Sequence, residues 1–145
     1  MFNLEIGNEA KKAQKFIPVH PNPAIGTEHD LSLMLFGMHS PRYKDALVKF
    51  TRSRMKLLKD RAKEEGIELE DTELTLDEAY QFASEMIADC CESYTGAGDQ
   101  AKLTDKEKKQ GLIDTLSSED YSWLRVQCES FSRIDDNFFL KPTKK

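Results

Sequence analysis

Residues 117–140 read SSEDYSWLRVQCESFSRIDDNFFL and hold the only tryptophan of the chain and three of its eight phenylalanines. Ser117 with Asp120 three positions on is a variant of the capping box, in which each side chain satisfies a free amide at a helix start. Leu116 and Tyr121 are spaced to close over that start as a hydrophobic staple. Tyr121, Leu124, Cys128, Phe131 and Phe138 then recur at three, four and seven, which places them on one helical stripe. Asp135 falls on the same stripe, so the helix is expected to fray or turn near residues 135–137. Phe138, Phe139 and Leu140 form an apolar cluster for which a solvated tail has no use. They fold back on the core or meet a partner, and aromatic residues at helical spacing more often pack inside.

Upstream, the same signals repeat. Thr104 with Glu107 is a capping box that opens a short helix carrying Leu112, Ile113 and Leu116. Thr75 with Glu78 is another, and Ala79, Tyr80, Ala83, Met86, Ile87, Cys90 and Tyr94 follow it as an amphipathic stripe that Gly96-Ala97-Gly98 should end. Residues 66–74 (GIELEDTEL) are an acidic connector, whose Ile67 and Leu69 are expected to tuck against the core. Ser40-Pro41 gives serine at a helix cap and proline at the first helical position, and Gly66 is the natural stop of that helix. Tyr43, Ala46, Leu47, Phe50, Leu57 and Leu58 mark its apolar side, with Lys49, Arg52, Lys56, Lys59 and Lys63 on its basic side.

The first third reads differently. A short helical turn fits residues 9–14, and residues 15–20 (KFIPVH) are β-prone. Pro21-Asn22-Pro23 and Gly26-Thr27 make turns, and residues 30–36 (DLSLMLF) alternate so that Leu31, Leu33 and Leu35 share a face. The two runs predict a β-hairpin with Pro18 confining the first strand to an edge. A lone hairpin is marginal in water, so it should lie on the helices or join a neighbour's strand. The expected architecture is α+β, mainly α: a small N-terminal β-hairpin packed on about four helices. One domain is expected over residues 1–145, with a β element at 1–37, a helical body at 40–140 and a basic tail at 141–145.

At 145 residues, 39% hydrophobic and 32% charged, the chain has material for one real core and a well-solvated surface. No apolar run approaches the roughly 20 residues that span a bilayer, and no secretory leader is evident, so a cytoplasmic location without membrane contact is expected. Cys90, Cys91 and Cys128 are odd in number and lack CxxC spacing, which points to buried free thiols. The net charge of −5 is uneven: residues 40–65 carry nine Lys or Arg against four Asp or Glu, a local +5, leaving −10 elsewhere. Such asymmetry orients a protein against a partner or a copy of itself.

Catalytic and cofactor signatures are missing from the sequence. His20, His29 and His39 have no metal-ligand spacing, and there is no GxSxG, GxxxxGK[ST] or GxGxxG. Asp135-Asp136 has no histidine beside it in sequence to complete an acid–base site. The expectation is no enzyme, no cofactor and no metal. The basic helix from Arg42 to Lys63 has the electrostatic footprint of phosphate binding, but the acidic balance, with a pI near 5.3, argues for a solvated face instead.

Phe16-Ile17-Pro18, the strand at 31–36 closing on Gly37, and Ser40-Pro41-Arg42-Tyr43 opening a long charged helix resemble the first half of the tail assembly chaperones of long-tailed bacteriophages. Tyr94-Thr95-Gly96 stands where that family often has tryptophan, a small residue and glycine. Tyr121, Trp123-Leu124, Gln127 and Asn137-Phe138 are similar to its C-terminal pattern. The resemblance implies a non-structural protein that binds the aggregation-prone tape measure protein, keeps it soluble, recruits tail tube subunits and is absent from the mature virion. It implies residence in the host bacterial cytoplasm. Candidate client-binding residues are Trp123, Phe131, Phe138 and Phe139; candidates for self-association are Leu31, Leu33, Leu35, Arg52 and Lys56. The alternatives are a structural head-to-tail connector or tail component, and a small nucleic-acid-binding regulator using the 42–63 helix.

Overall fold

The computed structural model describes residues 8–96 and 103–138. Among these, four α-helices and a three-stranded antiparallel sheet make an α+β, mainly α, fold, as the sequence leads one to expect. The strands are β1 (Gln14–Phe16), β2 (Ser32–Leu35) and β3 (Cys91–Thr95), in the order β1-β2-β3. The helices are α1 (Pro41–Glu65), α2 (Leu76–Asp89), α3 (Asp105–Ser117) and α4 (Ser122–Arg133).

Local chemistry sets most helix ends. The Ser40 hydroxyl accepts the Tyr43 N–H at 3.1 Å with Pro41 in the first turn, and Gly66 closes α1 in the left-handed region at φ 67°. Thr75 with Glu78 and Thr104 with Glu107 form complete capping boxes at the starts of α2 and α3.

The hairpin forms with β1 on an edge, but β1 stops at Phe16, two residues short of Pro18, which is buried where it follows the strand. A third strand, β3, completes the sheet. Periodicity predicts a second helix reaching Tyr94, yet α2 ends at Asp89, and Cys91 to Thr95 pair with β2, Leu33 opposite Tyr94 and Leu35 opposite Cys91 across a bulge. Pairing with an otherwise open edge of β2 outweighs another turn of helix, because it satisfies both backbones at once.

Residues 117–121 also differ from expectation. Ser117 ends α3 rather than capping the last helix, and Ser118 caps a short 3-10 turn at Glu119–Tyr121 before α4 begins. The helix start that the staple would close over is not there: Leu116 is fully buried in the last turn of α3, while Tyr121 is 42% exposed. Ile67 and Leu69 stay exposed instead of tucking in, and Thr72 takes the buried place in the connector. Leu47, on the apolar side of its helix by spacing, is 44% exposed.

The core lies between the sheet and α2, α3 and α4, with Leu33, Leu35, Ile87, Leu112, Leu116 and Leu124 at its centre. Arg125 is buried there too. Its guanidinium lies 3.8 Å from the centre of the Tyr80 ring and donates to the Leu116 carbonyl at 2.6 Å, tying α4 to α2 and the last turn of α3. Gly37 is buried where the Phe138 ring lies so close that a Cβ would come within 2.6 Å of it.

Candidate functional site

Among the candidate client-binding residues, Trp123 and Phe131 are half-buried and both pack against the core. Trp123 lies near the start of α4, its ring 5.1 Å from the His20 ring and 6.2 Å from that of Tyr121. One turn on, the Gln127 amide accepts the Val19 N–H and donates to the Val19 carbonyl, both at 2.8 Å, as a neighbouring strand would. The two bonds tie the chain at Val19 to α4. Pro18 is buried, while Ile17 and Val19 stay 43% and 52% exposed. Val126, three positions from Trp123, is exposed as well. Ile17, Val19, Tyr121 and Val126 are thus each exposed, Tyr121 and Trp123 are ring neighbours, and Tyr121 also lines a cleft of about 480 Å³ with Leu31, Tyr94 and Leu103.

Other candidate residues are used inside the chain. The Phe131 ring lies 4.8 Å from Phe16 and 5.3 Å from Phe138, and Phe138 is buried. Phe139 lies outside the described residues. Leu33 and Leu35 are fully buried in the core, so neither offers surface for self-association, and Leu31 is half-buried at the cleft. Arg52 and Lys56 are exposed on α1.

Part of the basic helix is engaged internally. Lys49 of α1 and Lys109 of α3 both pair with Asp89, and Arg42 Nε donates to the Asp89 carbonyl at 2.8 Å, so three cations meet at the negative end of α2. Arg61 bonds Glu78 at 2.6 Å and the Glu73 carbonyl at 2.7 Å. With Thr75 also donating to it, the Glu78 carboxylate is held down at about 2.

The histidines act as structural ties. His29 accepts the Leu31 N–H on Nδ1, and its Nε2 lies 2.6 Å from the Pro18 carbonyl, which makes Nε2 the donor. His39 meets Asp135 at 3.0 Å, a partnership across 96 positions that no local spacing announces. All three cysteines are free and buried, and burial pushes Cys90 up to about 12, Cys91 up to about 11 and Cys128 higher than its ordinary value. Among the described residues no cluster of three or more His, Cys, Asp or Glu is arranged to hold a metal, and no helix is long and apolar enough to cross a membrane. No protein-family model, curated protein or solved structure matches this chain.

Proposed function

We propose that the chain is a non-enzymatic phage tail assembly chaperone that binds and solubilises the tape measure protein and recruits tail tube subunits in the host cytoplasm. What supports this reading is the half-buried Trp123 with the exposed Val19, Tyr121 and Val126 near it in the chain or in space, among the described residues. Trp123 and Gln127 belong to the motif of the resemblance, and Val19, the backbone partner of Gln127, follows Phe16-Ile17-Pro18 directly. An aromatic anchor beside an open apolar cleft suits a helical, aggregation-prone client, which docks by a few side chains at helical spacing. Solubility of the complex comes from the charged remainder of the surface.

The test is affinity capture of tagged protein from infected cells, with mass spectrometry of what is bound and of purified virions. Tape measure and tail tube proteins in the capture, and no chain in the virion, support the reading. Trp123→Ala should lose the client by about tenfold or more while keeping its circular dichroism. Capture of neither protein overturns it, and several copies in the virion point to a connector. Salt-sensitive DNA or RNA binding that fails on charge reversal at Arg52, Lys56 and Lys59 points to the regulator.

A further inference from the structure

The long helix carries an apolar stripe of which only half is covered. Leu47, Thr51, Leu58 and Ala62 follow at steps of four and seven, so they share one side of α1. At the C-terminal half of that stripe, Leu58 and Ala62 are buried, and the connector after Gly66 runs back along it: Arg54, Leu58, Thr72 and Leu74 line one groove there. At the N-terminal half the stripe is bare, with Leu47 and Val48 close to half exposed and Met55 at 37%.

The two halves carry opposite charge. Lys44 and Arg52 flank Val48 at helical steps of four, with Arg52 three positions before Met55, and both are exposed. The connector is acidic, with Glu68, Glu70, Asp71 and Glu73 exposed around the exposed Ile67 and Leu69, and no Lys or Arg occurs between residues 64 and 101. One face thus has a basic apolar half and an acidic apolar half side by side.

We propose that this face pairs with the same face of a second copy about a two-fold axis, with the α1 helices antiparallel. The bare basic half of each protomer then covers the acidic connector of the other, so the contact is made twice and closes at two subunits. A 25-residue helix is about 37 Å long and about 10 Å wide, and the connector widens the face to about 20 Å over its C-terminal half, offering about 550 Å² per protomer, so that the two together clear the ~1,000 Å² that a specific interface needs. Complementary halves on one face satisfy each other about a two-fold axis without leaving free ends. It stands independently of the chaperone reading.

Sedimentation equilibrium of the whole chain tests it, at low and high salt. The expected result is a dimer whose mass levels off with concentration and whose affinity falls as salt rises. Lys44→Glu with Arg52→Glu should weaken it by about a hundredfold, and so should Glu70→Lys with Asp71→Lys, since each sets like charges against one another. An equimolar mixture of the two variants should restore the dimer as a heterodimer. A monomer at all concentrations overturns the proposal, as does a dimer indifferent to both reversals, or a mass that keeps climbing. Where a variant fails to fold, amide exchange of the unaltered chain decides. Protection at 47–55 and 67–71 must rise with concentration, and a flat response overturns the proposal.

Discussion

The sheet with α2, α3 and α4 buries Leu33, Leu35, Leu116 and Leu124 almost completely, whereas α1, over 25 residues, buries only Ala46, Leu58 and Ala62. The first region is held by apolar packing from six elements. The second is held by its caps, by α2 and by ion pairs at Asp89 and Glu78. Stability near the sheet is therefore a matter of buried volume, and along α1 a matter of helix ends and charge. A surface built the second way keeps side chains free for partners, because few of them are needed to hold it in place.

The sharpest way to break this contrast is to truncate one apolar side chain in each region. Leu33→Ala should cost about 2–5 kcal/mol in urea unfolding, because a fully buried side chain leaves a cavity. Equal sensitivity at Met55 would show that α1 is as tightly packed as the sheet. Gly37→Ala comes next, at about 1–3 kcal/mol, since the new methyl must displace the Phe138 ring that packs on Phe131 of α4. Combining it with Phe138→Leu should recover part of that loss; no recovery would place the strain elsewhere.

Acid titration sharpens the contrast from the other side. The Glu78 carboxyl is depressed from 4.5 to about 2, so its tie to Arg61 is fully present above about 4.5 and is lost as the pH falls toward 2. Amide protection at the end of α1 and the start of α2 should fall across that window, and Glu78→Gln should remove this dependence without moving the protection of β2. The smallest effect is expected at Met55→Ala, within about 0.5 kcal/mol for the isolated protomer, as at other surface positions.

Much of the fold is legible in the sequence because its punctuation is local. The Ser40-Pro41 start, the Gly66 stop and both capping boxes lie within a turn of the backbone they satisfy, and the alternation of Leu31, Leu33 and Leu35 marks the buried face of β2 correctly. The site is less legible. Trp123 stands out as the lone tryptophan, but Ile17 and Val19 read locally as part of a strand. Val19 is instead tied to Gln127 across 108 positions, a bond no local pattern announces.

By itself the sequence determined that the chain is mainly helical with a small sheet, where α1 starts and stops, where α2 and α3 start, and that its charge is divided between a basic helix and an acidic remainder. Tertiary structure decided that Cys91 to Thr95 leave the helix to pair with β2, that Arg125 is buried on Tyr80, and that Phe138 is buried while Trp123 and Phe131 are half-buried against the core. The physical reason is range. Caps and periodicity act within a few residues, whereas strand partners and burial are settled by which distant surface offers hydrogen bonds and removes water, and that competition exists only once the chain has folded back on itself.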